Sequence, residues 1–360
     1  MKLVPLKDFC KMYQPPTIST KEMITDGEFV VYGANGPIGR YNKFNHEEPQ
    51  LLVTCRGATC GAVNMSEPFA WINGNAMVIQ PDLELATLEY MKYAFLGGID
   101  VSSSITGSAQ PQITRTTLEV IKVPLPSLEK QKEIVEKLDS AFAEIDLLEE
   151  NLALSEIKSN ELLKSILNSE YSSPDLKIEP LEKLVDILDN QRIPINATER
   201  LQRVGDVPYY GATGQVGTID KAIFNETLIL LGEDGVPFFD PTKHKAYEIS
   251  GPSWVNNHAH VLRAKPELMI QRYLLHFLNI FNYTGYVNGA TRLKLTQGDM
   301  KRIPVPLPSI EVQAEIVSKI DLAFKQIGEL SKQIGIKKES ATGLRQSILS
   351  SAFTQKEAVA

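Results

Sequence analysis

The most regular apolar pattern in the chain occurs twice, 182 positions apart. Ile134, Leu138, Ala141, Ile145, Leu148, Leu152, Ser155, Ser159, Leu162 and Ile166 step by alternating four and three. Ile316, Ile320, Ala323, Ile327, Leu330, Ile334, Lys337, Ala341, Leu344 and Ile348 fall on the same grid. This is a heptad seam, and it predicts two helices of about 40 residues, roughly 60 Å each at 1.5 Å per residue. Each is approached through Pro-Leu-Pro-Ser, whose prolines hold an extended backbone. Ser127 or Ser309 then stands at the N-cap, and Glu129 or Glu311 faces the helix dipole. Each helix could pack on its own domain, or the two could pair. Two matching seams suit an antiparallel two-stranded coil, with looser packing where Ser155, Ser159 and Lys337 interrupt it. The outer charges Glu136, Glu144 and Glu150 read as a solvated face.

Between the helices the pattern shortens. "EFVVYG", "QLLVTCRG" and "AMVIQP" in the first part, and "TLILLGEDG" and "AHVLRAKP" in the second, are strand-length runs closed by turn residues. "ATLEYMKYAFLGG" and "LMIQRYLLHFLNI" each predict one apolar helix, with Met91, Phe95, Leu274 and Phe277 in the core. The expected class is α/β (α+β). Two domains, 1–123 and 173–305, alternate with helical regions 124–172 and 306–360, in a pseudo-two-fold repeat.

The repeat is explicit. "VPLPSLEKQKEIVEKLDSAFAEI" from Val123 matches "VPLPSIEVQAEIVSKIDLAFKQI" from Val305, with about 21 of 47 ungapped positions identical. Upstream it loosens: Trp71 aligns with Trp254, Tyr90 with Tyr273, and "TGSAQPQIT" with "NGATRLKLT". The glycine loops "YGANGPIG" (32–39) and "YGATGQVG" (210–217) belong to this repeat. Neither precedes a helical pattern, so no helix N-terminus is available for a phosphate, and their glycines read as turn formers with Tyr32 and Tyr210 as packing residues.

Composition narrows the class further. Cys10, Cys55 and Cys60 form no disulfide framework and no CxxC pair, and no apolar run is long enough to span a membrane, so a soluble cytoplasmic protein is expected. The net charge of -7 argues superficially against nucleic acid, yet most of the acidity sits in 124–170. No catalytic constellation emerges. "DPTK" at 240–243 lacks the second proline and aromatic of an amino-methyltransferase loop, and His258 and His260 have no acidic ligand in a recognised zinc spacing. Glu233 and Asp234 have no Glu-x-Lys partner of a nuclease site.

What differs between the repeats is polar loop chemistry at equivalent places. Asn35 stands opposite Thr213, Arg56 opposite Asp234, Asn75 opposite His258, Gln110 opposite Arg292 and Gln112 opposite Lys294; Arg115 and Gln215 lie close by. Such side chains read base edges and grip phosphates, and Asp accepts from cytosine. Two similar scaffolds with different reading residues would read two different short sequences. A solo enzyme with duplicated lobes, or a coiled-coil scaffold without a nucleic-acid role, are the competing classes.

These features together resemble the specificity subunit of type I restriction-modification enzymes, over essentially the whole chain. That family enters each helical region through an "I-x-V/I-P-L-P" signature, here "IKVPLPS" (121–127) and "IPVPLPS" (303–309), with a glycine some way upstream, here Gly107 and Gly289. It often has Glu-Gln early in the helix; here Gln131 and Gln313 are kept but Lys130 and Val312 precede them. The resemblance implies a non-catalytic DNA-binding subunit without a cofactor or metal of its own, each domain reading one half of a bipartite, asymmetric double-stranded target. It implies helices that set the spacer and recruit two modification (N6-adenine methyltransferase) subunits, with Gln131, Ile134, Gln313 and Ile316 as candidate partner contacts. S-adenosylmethionine would belong to those partners, and ATP and Mg to two restriction subunits.

Overall fold

The structure, a computed structural model, describes residues 2–107, 111–172, 176–289 and 291–354. The long helices run Leu128–Tyr171 and Ile310–Thr354. Two compact units form: the chain up to Leu154 together with the chain from Ile334 onward, and Ser155–Gln333. The division crosses both helices beside their polar interruptions. Ser159 is buried there, and its hydroxyl donates back to the Ser155 carbonyl at 2.7 Å.

Both packings open to the helices occur, each in its own half. In the first unit Ile134, Leu138, Phe142 and Ile145 join the core of the domain before them, and Ala341, Leu349 and Phe353 of the second helix enter the same cluster. In the second unit Leu167 and Tyr171 of the first helix meet Ile316 and Ile320 of the second against the other domain. The beginning of one helix thus lies with the end of the other in each unit, which is an antiparallel arrangement. Arg345 links the strands of this pairing in the first unit by an ion pair to Asp146, and Lys319 reaches Glu170 at 3.4 Å in the second.

Each domain has a four-stranded antiparallel sheet with a second sheet beside it, three-stranded in the first domain and four-stranded in the second. In the first the order is Cys10–Tyr13, Ala76–Pro81, Leu51–Thr54, Val63–Met65; in the second it is Val185–Ile187, Ala259–Ala264, Leu228–Gly232, Ala246–Ile249. The central strands are continuous apolar runs because both faces are covered. Leu51 and Val53 point into the helix-bearing core and Leu52 into a second cluster with Tyr32 and Ile72. Ile229 and Leu231 alternate with Leu228 and Leu230 in the same way. Tyr32 is buried and Tyr210 packs partly buried. The glycine loops are hairpin turns between Phe29–Gly33 and Gly36–Tyr41 and between Val207–Tyr210 and Gln215–Ile219. Gly36 takes φ 102° and Gly214 φ 144°, conformations that side chains rarely adopt. Met91, Phe95, Leu274 and Phe277 are buried in their respective cores.

Each helix is fastened to its domain by one glutamine. Gln131 Oε1 accepts the Thr87 N–H at 2.9 Å, and its Nε2 donates to the carbonyls of Leu85 (2.8 Å) and Pro126 (3.0 Å). Gln313 accepts from Ile270 N at 2.7 Å and donates to Leu268 and Pro308, both at 3.0 Å. Both side chains are fully buried. Tyr90 and Tyr273 add a second fastening, donating to the carbonyls of Pro124 (2.7 Å) and Pro306 (3.0 Å). Replacing Gln131 by Leu keeps the volume but strands a buried N–H and two carbonyls. The expected loss is about 3 kcal/mol in the unfolding transition that carries the first domain, measured by chemical denaturation of the full chain. An unchanged transition would show that water replaces the amide.

Candidate nucleic-acid interface

The backbone brings the candidate reading residues together at one edge of each domain, in the same way twice. In the first domain the strand Leu51–Thr54 runs on to Arg56, which pairs antiparallel with Gln112. Ile113 N donates to the Cys55 carbonyl at 2.9 Å, and Cys55 N donates to the Asn75 carbonyl at 3.2 Å. In the second, Asp234 pairs with Lys294, Leu295 N donates to Glu233 O at 2.7 Å, and Glu233 N donates to His258 O at 2.8 Å. Arg56, Asn75 and Gln112 therefore form a cluster whose counterpart is Asp234, His258 and Lys294.

The preceding glycines explain how the chain returns to this edge. Gly107 and Gly289 both adopt positive φ, 83° and 108°. A Cβ on Gly289 would stand 2.4 Å from the Arg292 carbonyl, so the turn that presents Arg292 requires glycine.

The fillings differ. In the first domain Arg56, Asn75 and Gln112 are exposed. In the second, the Asp234 carboxylate receives Arg292 Nη2 at 2.6 Å, and His258 Nδ1 lies 2.9 Å away as an ion-pair contact outside good hydrogen-bond alignment. Burial works to raise the Asp234 pKa, but Arg292 and His258 outweigh it and hold the carboxyl below its ordinary value. Lys294 Nζ reaches Glu233 at 3.1 Å, and both Arg292 and Lys294 remain more than half exposed. These cations are held in direction while still facing outward.

The other candidates are more dispersed. Asn35 and Thr213 sit on the hairpin turns, exposed, with Asn35 Oδ1 accepting from Asn64 Nδ2 at 3.1 Å. The first turn is tied to the Arg56 strand through a hydrogen bond from the Thr54 hydroxyl to the Ala34 carbonyl. Gln215 bonds to the Gly217 carbonyl at 3.1 Å. Arg115 opens a short helix and pairs with Glu119 at 2.5 Å. Gln110 lies outside the described residues. Of the candidate partner contacts, Gln131 and Gln313 have no exposed surface, and Ile134 and Ile316 are 8% and 4% exposed. All four are therefore withdrawn as surface contacts: they hold the helices to the domains, and the helical repetition of their positions reflects the core.

One set of residues escaped sequence reasoning. Beneath the second edge, Asp189 accepts from Val261 N (2.8 Å), His260 Nδ1 (2.6 Å) and Gln297 Nε2 (3.1 Å). His260 Nε2 lies 2.9 Å from the Leu295 carbonyl, and Arg192 bridges Glu233 (2.9 Å) and Asp189 (3.4 Å). Asp189, Glu233 and His260 come close enough together to suggest a metal. The set does not fit one: both imidazole nitrogens face acceptors, and the Arg192 guanidinium already supplies the cation. The network instead clamps the strand carrying Lys294 to the sheet. Sequence offered no periodic signal for it, since Asp189 and His260 are 71 positions apart. In the first domain the equivalent places hold Gln14, Cys55 and Met77, the latter two buried.

A family model described as "Type I restriction modification DNA specificity domain" matches residues 1–157 and 175–338. The chain belongs to this family. Its members are non-catalytic specificity subunits. The chain is 30% identical over 158 residues to a putative type I restriction enzyme specificity subunit of Haemophilus influenzae, covering 44% of this chain and 40% of that one. It is 23% identical to the EcoBI specificity subunit of Escherichia coli (84% of this chain, 72% of that one), and 22% identical to the StySPI specificity subunit of Salmonella potsdam (93% and 76%). The chain thus spans less than half of the Haemophilus relative and about three quarters of the other two. The fold is similar to the HsdS subunit from Thermoanaerobacter tengcongensis, with TM-score 0.64, 15% identity and 98% and 96% coverage of the two chains. It is also similar to a chain from a structural study of type I complex assembly and conformational transition, with TM-score 0.74, 16% identity and 98% and 97% coverage. Among the described residues no helix is long and apolar enough to cross a membrane.

The buried network has a pH signature. Burial pushes the Asp189 pKa up, but the His260 hydrogen bond and charge, the Val261 N–H and Arg192 more than offset this and hold it below the usual value. A depressed carboxyl stabilises the fold above its unfolded pKa of about 3.9, and that contribution is lost as pH falls through the folded value. Asp189→Asn is expected to destabilise the second unit by about 3 kcal/mol at neutral pH and to flatten the acid limb of its stability profile, read by denaturation across pH. An unaltered acid limb would remove Asp189 from this role.

Proposed function

We propose that this chain is the DNA-reading subunit of a type I restriction-modification complex, each domain reading one half of a bipartite, asymmetric target. The observation that carries the reading is the doubled edge. Two topologically matched strand pairs present Arg56 with Gln112 in one domain and Asp234 with Lys294 in the other. Matched backbones with unmatched side chains are what two different half-sites require. An Arg can grip guanine in bidentate fashion, Asn or Gln adenine, and an Asp accepts from cytosine. Asn35, Asn75, Arg115, Thr213, Gln215, His258 and Arg292 complete the proposed reading set. The domains are taken as 1–123 and 173–305 and the helical regions as 124–172 and 306–360, with the helices setting the unread spacer.

The helices also support recruitment of two copies of one partner. Leu148, Leu154 and Leu162 on the first helix are 42%, 45% and 57% exposed, and their repeat counterparts Leu330, Ile336 and Leu344 on the second are 40%, 55% and 50% exposed. Apolar side chains left open at the same steps of a repeat suit the same surface docking twice. In this reading the partners are modification subunits that bring S-adenosylmethionine and N6-adenine methyltransfer, while restriction subunits bring ATP and Mg. This chain's residues supply address and assembly. A chain of net charge -7 leaves much of the phosphate contact to its partners, so the subunit alone should bind DNA weakly and with strong salt dependence.

The direct test is single-molecule methylome sequencing of cells carrying this chain with its modification partner, against cells lacking the chain. A bipartite N6-methyladenine motif is expected that disappears with the chain. Arg56→Ala should relax one half of that motif and Arg292→Ala the other, by about 1–3 kcal/mol of discrimination each. An unchanged methylome with the complex assembled would favour a protein scaffold instead.

Assembly is tested separately. The pair Leu154→Asp and Ile336→Asp is expected to reduce the modification subunits bound per chain, measured by native mass spectrometry, while the unfolding profile of the chain itself stays unchanged. Full stoichiometry in the double variant would exclude these side chains from the docking surface.

A further inference from the structure

The second unit contains a cavity of about 640 Å³ between the first long helix and the second domain. Its making can be traced to one insertion. Thirteen residues, 233–245, separate the strands Leu228–Gly232 and Ala246–Ile249, where the first domain uses only eight, 55–62, between Leu51–Thr54 and Val63–Met65. The longer loop supplies Phe238, Phe239, Lys243, His244 and Lys245 to the cavity wall.

The helices differ at the same place. In the first unit Phe142 is buried beneath the Arg345 guanidinium, 4.8 Å from its ring, and beside Tyr93 at 5.5 Å. In the second unit the repeat counterpart of Arg345 is Leu163, and the counterpart of Phe142 is Phe324, which stays 38% exposed and lines the cavity with it.

The wall has a single sign of charge. Lys164, Lys243, His244 and Lys245 line it, and no Asp or Glu does, although the chain as a whole is acidic. Lys245 is 3% exposed, and its Nζ donates to the Asp240 and Lys243 carbonyls, both at 2.6 Å. The Asp240 carboxylate is nearby but is held by the Thr242 N–H at 2.8 Å and hydroxyl at 2.6 Å. Among the described residues no carboxylate forms an ion pair with Lys164, Lys243 or Lys245. Burial foremost holds Lys245 below the usual lysine range; the Asp240 charge opposes this in part, and the Lys164 charge adds to it. Three lysines gathered about the single Asp240 carboxylate, whose oxygen is already held by Thr242, leave an excess of positive charge that an anion relieves. The rest of the wall offers exposed aromatic rings, Phe239 (56%) and Phe324, and the exposed carboxamides Asn160 and Asn168.

We propose that this cavity is a binding site for a nucleoside phosphate, with the phosphate against Lys164, Lys243 and Lys245 and the base against Phe239 and Phe324. The volume is within the range of small-ligand sites. A ring that stacks and an edge that can hydrogen-bond match the aromatic and carboxamide wall, which an inorganic anion would leave unused. The insertion and the Arg345-to-Leu163 difference confine the site to one half of the repeat. That disfavours a partner docking equivalently on both halves as its occupant.

The test is calorimetric titration of the full chain with AMP, GMP, adenosine and inorganic phosphate. Saturable binding of AMP or GMP is expected, with adenosine and phosphate at least tenfold weaker. The double variant Lys164→Ala with Lys243→Ala should weaken the nucleotide at least tenfold, and Phe239→Ala should do so several-fold. All three positions are exposed, so the unfolding profile should not change. No saturable nucleotide binding, phosphate binding as tightly as AMP, or full affinity in the double-lysine variant would each overturn the assignment. Hydrogen exchange of 238–245 separates the sources of this chemistry. Protection by AMP assigns a free nucleotide, whereas protection by target duplex or by the modification partner, with none by AMP, would overturn it.

Discussion

A buried carboxamide at the start of each long helix is the constraint on which the rest of the architecture depends. A glutamine with no access to water must find partners for both its donor and acceptor groups, and Gln131 and Gln313 find them in backbone atoms on both sides of the junction. Each therefore fixes the first turn of its helix relative to the loop that begins the domain's own apolar helix. The Pro-Leu-Pro-Ser approach serves the same end, because extended prolines offer carbonyls without competing N–H groups. This junction is the most closely repeated part of the chain. Its geometry tolerates little change, whereas the loops beyond it tolerate much.

With the junction fixed, the domains diverge by filling. The four-stranded sheets share order and register, and the bridges at their reading edges fall at matching places. Beneath those edges one domain has packed Cys55 and Met77, while the other has built a charged network around Asp189, Arg192, Glu233 and His260. An apolar filling supports exposed Arg56 and Gln112; the ionic one aims Arg292 and Lys294 through Asp234 and Glu233. The two solutions give edges of different charge on one backbone plan. The longer loop of the second domain extends the same divergence to the cavity at its helices.

Much of this was legible in the chain. The 182-residue offset, the heptad steps, the proline approach and the alternating strand runs are local or periodic signals, and each led to the element observed. The equivalence of Arg56 with Asp234 and of Gln112 with Lys294 came from alignment of the repeats, and backbone pairing joined those positions within each domain. The family resemblance offered Gln131 and Gln313 as candidate partner contacts, yet a polar side chain early in a helix can equally be an internal one. Only the loop folded over it reveals that its hydrogen bonds are spent inside.

The sequence by itself determined the two-fold plan and the elements, since periodicity and turn chemistry act between residues near one another along the chain; it did not determine the helix core faces, because the seam positions Leu148, Leu162, Leu330 and Leu344 lie open. The tertiary structure alone decided which polar groups face water and which are buried together. Asp189 meets His260 across 71 positions, and Gln131 meets Thr87 across 44. Such pairings depend on sheet order and on how loops close over helix ends, and no local pattern encodes them.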